Sequence, residues 1–130
     1  MRLTHIRLLV DDFEGSLRFY RDVLGFKPDV LTQPARYAEF EVGVTRLALY
    51  DRTTMEHIVG AHPDAGSSRD HVLLGIEVAN VDQTYELLRK KGVEFAVGPT
   101  DRRDWYLRTA HFRDPEGNLI ELYHGIHETR

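Results

Sequence analysis

The chain has 130 residues, no cysteine and a formal net charge of −4, with acids and bases interspersed. That length suits one compact domain able to bury about 65–70% of its unfolded surface without a disulfide or structural metal. The lack of cysteine excludes thiolate ligands, and the charge balance argues against nucleic acid as partner.

Residues 3–10 alternate, with Thr4, Ile6, Leu8 and Val10 on one face and Leu3, His5, Arg7 and Leu9 on the other, which predicts a strand. Asp11-Asp12-Phe13-Glu14 then offers a carboxylate helix cap, and Asp11 with Glu14 has capping-box spacing. Leu17, Tyr20, Val23 and Leu24 fall on one helical face, and Gly25 stops the helix. Strands follow at Val30, over 37–42 and over 46–50. Residues 51–70 are polar and read as a linker with one helical turn near Met55–Val59.

The same order then recurs. Val72, Leu74, Ile76 and Val78 alternate with His71, Leu73, Gly75 and Glu77. Asn80 is a good helix cap with Gln83 at the matching position, and Arg89-Lys90-Lys91 suits the negative end of that helix before Gly92 closes it. Later strands are expected over 93–97, 107–112 and 118–123, the last two joined by a tight turn at Asp114-Pro115-Glu116-Gly117-Asn118. The predicted fold is α+β: two βαβββ modules in one domain, the first about 1–50, the linker about 51–70 and the second about 71–124. No apolar run approaches a membrane span, and Met1–His5 lacks the apolar stretch of a signal peptide. The expectation is a cytoplasmic protein with a small-molecule partner.

Two segments make the pattern specific. His5-Ile6-Arg7-Leu8-Leu9-Val10-Asp11-Asp12 followed by residues 16–26, and Phe112-Arg113-Asp114-Pro115-Glu116-Gly117-Asn118-Leu119-Ile120-Glu121-Leu122, resemble the opening and closing signatures of the vicinal oxygen chelate superfamily. That group contains glyoxalase I, bleomycin-resistance proteins and extradiol dioxygenases. The resemblance covers nearly the whole chain and implies a half-barrel sheet around a cleft, often completed by pairing two chains, hence a homodimer. One scaffold of this kind hosts many chemistries.

The family pattern places metal ligands on the first and last strand of each module. His5 matches the first position and Glu121 the last. The first module's carboxylate position falls on Ala48, which cannot bind a metal. His71 is the third candidate. It lies two residues before Leu73, the strict counterpart of His5, a displacement of roughly 6.6 Å. Fosfomycin-resistance transferases of the family place their second histidine similarly early.

Together, His5, His71 and Glu121 would give a two-histidine, one-carboxylate set for iron, manganese, zinc or nickel, with open positions for substrate. The implied function is a metal-dependent small-molecule enzyme of lyase, isomerase, dioxygenase or thiol-transferase type, with Glu121 catalytic. The alternative is a metal-free binding protein of bleomycin-resistance type. In that case Arg7, which shares the His5 face, is expected to pair with Glu121, since a buried carboxylate needs a cation. Arg46, Tyr50, Trp105 and Arg108 are further candidates for contacting substrate. His57 and His62 are expected in solvent, and His124 and His127 in a loose tail. The sequence holds no phosphate-cradling glycine loop, Gly-x-Ser-x-Gly or HExxH motif.

Overall fold

The computed structural model describes residues 1–32, 35–60 and 69–127. Its elements run β1 (Arg2–Val10), α1 (Phe13–Arg18), β2 (Pro28–Thr32), β3 (Tyr37–Phe40), β4 (Arg46–Asp51), α2 (Arg52–Val59), β5 (Val72–Glu77), α3 (Val81–Lys90), β6 (Phe95–Arg102), β7 (Leu107–Arg113) and β8 (Leu119–Gly125). The eight strands form one open sheet in the order β2-β3-β4-β1-β5-β8-β7-β6. Each half of that order is one βαβββ module. The modules join within the chain where β1 and β5 pair antiparallel, His5 opposite Gly75 and Arg7 opposite Leu73.

Because strand side chains alternate, each strand serves two compartments. On one face Leu8, Val10, Ala38, Phe40 and Leu49 pack against Phe13 and Leu17 of α1. Ile76, Val78, Ala110, Phe112 and Leu122 pack in the same way around Val81 and Leu88 of α3. Both helices therefore lie on one side of the sheet. The other side carries His5, Arg7 and Leu9 of β1 with their register partners Arg46, Ala48 and Tyr50 of β4, and Gly75, Leu73, Glu121 and His111 beyond. This second face, away from α1 and α3, is the one that fronts the cleft, or hollow, that the resemblance implies.

The helix caps show how local chemistry sets the ends. Asn80 accepts from Gln83 N at 3.0 Å, as its spacing predicts. In the first module Asp12, not Asp11, is the cap: its carboxylate accepts from Gly15 N at 3.0 Å. Asp11 instead pairs with Arg52 at 2.5 Å and with Arg69 at 3.2 Å. After Arg18 the helix widens into a π-type turn over Phe19–Val23, with Leu24 N donating to Phe19 O. The wider turn rotates the expected apolar face, so Tyr20 stays against Phe40 while Val23 and Leu24 reach solvent.

The linker differs most from expectation. Asp51 caps a two-turn helix, its carboxylate accepting from Thr54 N and Thr54 Oγ1. That helix, α2, inserts Met55 between Leu9, Tyr50, Leu73 and Leu119, which makes one end of this face apolar. Buried Arg52 fastens it, donating to Leu9 O and Asp70 O at 2.7 Å each. His62 lies outside the described residues. No helix among the described residues is long and apolar enough to cross a membrane.

Candidate functional site

At the end of the hollow away from α2 the sheet face becomes ionic. Glu121, on β8, is 1% exposed. Arg7 Nη1 donates to its Oε2 at 2.5 Å, and His111 Nε2 lies 3.0 Å from its Oε1. The Arg7–Glu121 pair expected of a metal-free site is thus present. An ionised carboxylate only accepts, so the imidazole proton facing it sits on Nε2. His111 Nδ1 is buried without a hydrogen-bond partner among the described residues. Arg7 Nε also donates to Tyr37 Oη at 3.2 Å.

Gly75 lets β5 lie close against His5, next to the Arg7 guanidinium. It lies between His5 on β1 and Glu121 on β8. A Cβ there would stand 3.0 Å from His5 Cβ and 3.6 Å from Arg7 Nη1. The tight approach is to His5, while Arg7 Nη1 stands at ordinary van der Waals distance from that position.

Burial pushes the Glu121 carboxyl up, but the Arg7 charge and the His111 and Arg7 hydrogen bonds outweigh it and hold its pKa down at about 2. The carboxylate is ionised at neutral pH and locally neutralised. Burial also pushes the Tyr37 phenol upward, so it stays protonated and donates to Glu39 Oε2 at 2.6 Å.

A second ionic cluster adjoins the first. His5 Nε2 lies 3.4 Å from Glu39 Oε1, to which Arg46 Nε also donates at 2.5 Å, and Arg46 holds Asp29 as well. Glu39 sits directly across β3–β4 from Ala48. A carboxylate therefore stands beside Ala48, but it is engaged by His5, Tyr37 and Arg46. Burial raises the Glu39 carboxyl, yet hydrogen bonds from His5, Tyr37 and Arg46 bring it down to about 2. His5 Nδ1 is 2.8 Å from Thr4 Oγ1, which bonds in turn to Tyr123 Oη. The Tyr123 ring meets the imidazole edge-on at 5.9 Å.

The sequence candidates are only partly brought together. His5, Arg7, Arg46 and Glu121 share the ionic end. Tyr50 lies at the apolar end, where Trp105, in the short turn Arg103–Trp105, meets its ring edge-on at 6.0 Å. Arg108 points to the opposite face of the sheet, donating to Asp82 of α3 and to Asp101. His71 is also elsewhere. Its carbonyl accepts from Leu9 N at 2.8 Å, and its Nδ1 lies 3.0 Å from Arg52 Nη2. That places it opposite Leu9, four residues along β1 from His5, or roughly 13 Å at ~3.3 Å per residue.

As placed, His5, His71 and Glu121 do not form a three-ligand set. Among the described residues no group of three His, Asp or Glu side chains could hold a metal ion. His57 is exposed. His124 belongs to β8, not to a loose tail, and its Nδ1 accepts from Val81 N at 2.9 Å.

Two residues of the site, His111 and Glu39, carry no family signature. Turn geometry is the signal that finds both. The Asp114–Asn118 turn puts Arg113 opposite Leu119 and hence His111 opposite Glu121. The β3–β4 hairpin likewise sets Glu39 beside Ala48.

Paired βαβββ modules, helices on one face and a charged hollow on the other define the glyoxalase-type α+β class. The model of the Glyoxalase/Bleomycin resistance protein/Dioxygenase superfamily matches residues 2–122, and the chain belongs to that superfamily. It is 45% identical over 125 residues to the uncharacterized protein YraH of Bacillus subtilis, covering 95% of this chain and 98% of YraH. It is 28% identical over 129 residues to the metallothiol transferase FosB of Staphylococcus saprophyticus, covering 98% of this chain and 80% of FosB. A solved methylmalonyl-CoA epimerase from Streptomyces coelicolor aligns with a TM-score of 0.65 and 26% identity over 95% of this chain and 96% of that one.

Proposed function

We propose that the protein binds a small organic molecule in the hollow of its sheet without a metal, in the manner of a bleomycin-resistance protein. One observation carries this reading: both oxygens of Glu121 are engaged, by Arg7 and by His111, in a buried network. A carboxylate so neutralised needs no further cation. The test is dialysis against Mn²⁺, Zn²⁺ or Ni²⁺ followed by metal analysis, alongside melting curves with small organic ligands. The expected result is substoichiometric metal and a melting temperature raised by organic ligands alone. A ligand at 100 times its Kd adds about 2.7 kcal/mol. One tightly held ion per chain, lost in Glu121→Ala, refutes it.

A second reading is favoured by the likeness to FosB, a metallothiol transferase by name, over 98% of this chain. Here the protein is a metal-dependent enzyme acting on a small molecule, with His5, His71 and Glu121 as ligands. That requires Arg7 to release Glu121 and His71 to leave Arg52. The same dialysis decides between the two. A homodimer belongs to either reading, and light scattering at twice the chain mass is the expected result.

A further inference from the structure

The cations that share the hollow or border it differ in one respect. Arg7 is paired with Glu121, Arg46 with Glu39 and Asp29, Arg52 with Asp11, and Arg113 with Asp70. Arg102, the last residue of β6, has no acidic partner among the described residues. It pairs in register with Leu107, and its Nε donates to Thr109 Oγ1 at 3.3 Å. Leu107 and Thr109 alternate with Arg108, so Arg102 faces the hollow while Arg108 faces α3. Both terminal guanidinium nitrogens of Arg102 are left without a protein partner among the described residues. The turn Arg103–Trp105 follows it directly, and there the Trp105 ring meets that of Tyr50 edge-on at 6.0 Å.

An unpaired guanidinium presents two parallel N–H donors, a geometry that fits the oxygens of a carboxylate or phosphate. Tyr50 is buried on one side of this position, while Trp105 is 36% exposed and offers ring surface to a ligand. From this geometry we propose that Arg102 is the anchor for an anionic group, carboxylate or phosphate, on the small molecule bound in the hollow, with Tyr50 and Trp105 packing against its organic part. This rests on the hollow being a small-molecule site. It adds the charge class of the ligand and its orientation, anion toward the β6–β7 end. The Arg7–Glu121 pair lies deeper on the same face and, being neutralised, leaves Arg102 the cation that selects for charge.

Trp105 is the sole tryptophan, so its fluorescence reports on this position directly. Benzoate and phenyl phosphate serve as anionic probes and benzamide as the neutral counterpart of benzoate. They are titrated against the full chain and against Arg102→Gln and Arg102→Lys, with melting curves to confirm that each variant folds. The expected result is that both anions change Trp105 emission in the native chain. Arg102→Gln should weaken them about tenfold, as loss of a charge-assisted hydrogen-bond pair predicts, and Arg102→Lys less. Benzamide should bind native and Arg102→Gln proteins alike. Equal anion affinity in native and Arg102→Gln proteins overturns the role of Arg102 and leaves the hollow as a binding site. If none of the three probes alters emission or melting of the native chain, the small-molecule reading fails and this inference with it.

Discussion

Removing the cation while leaving the carboxylate is the sharpest test of the buried pair. In Arg7→Met the side chain keeps an unbranched apolar stem, but Glu121, 1% exposed, loses its strongest partner. Stripping one member from a buried pair costs about 3–5 kcal/mol. Folding brings the Glu121 carboxyl from an ordinary 4.5 down to about 2, because the Arg7 charge and the His111 and Arg7 hydrogen bonds together outweigh burial.

The sign follows from linkage. Because the folded pKa is depressed, this stability is fully present above the unfolded value near 4.5 and is lost as pH falls toward 2. In Arg7→Met burial acts with less opposition and the folded pKa rises. Because the unfolded chains titrate alike, the variant's deficit should grow from about pH 2, the native folded value, up to the variant's own raised pKa, and shrink as pH falls through that window. Urea unfolding at pH 7.5 and about pH 3 measures it. We expect a loss of about 3 kcal/mol at the higher pH and a clearly smaller one at the lower, with Arg7→Met/Glu121→Leu recovering most of it at both. A deficit below about 1 kcal/mol, or one independent of pH, refutes the assignment of a buried, charge-compensated Glu121.

Gly75→Val should lower stability by about 1–3 kcal/mol in the same urea assay, because its Cβ would stand 3.0 Å from His5 Cβ and its methyl groups would enter the path of Arg7. Met55→Ala should cost about 2–5 kcal/mol by removing the side chain that α2 inserts among Leu9, Tyr50, Leu73 and Leu119. Asn80→Ala should cost about 1 kcal/mol through the lost bond to Gln83 N, and Asn80→Asp should restore most of it, both read from unfolding midpoints.

Much of the fold is legible in the sequence because its signals are local. Strand alternation, Asn80 with Gln83, Gly92 and the Asp114–Asn118 turn each state their structure within a few residues, and the order they make is read twice. The site is less legible because its contacts cross strands. Arg7 and Glu121 are 114 residues apart yet bonded, and the pair was foreseeable from shared face and buried charge alone. His111 was foreseeable too, by counting back from the turn. Arg108, one residue out of that alternation, could have been assigned to the α3 face in the same way.

Other features have no local signature. The widened turn after Arg18 exposes Val23 and Leu24, which a regular helix would have buried. The role of α2 depends on the apolar end of a hollow that exists only once the sheet has curled. His71 stays beside Leu9 because β5 begins at Val72 and Arg52 takes its ring, a contact that spacing within the strand cannot reveal.

The sheet does not close on itself, and its outermost strands, β2 and β6, have consequences of their own. A bare strand flank is a template on which other polypeptides can add hydrogen bonds. β2 opens with Pro28, and β6 carries Pro99 in its interior beside register breaks against β7. A proline has no N–H to offer a newcomer, and such breaks bend the flank out of true. Both margins thus offer an incoming strand fewer aligned donors than a regular flank would.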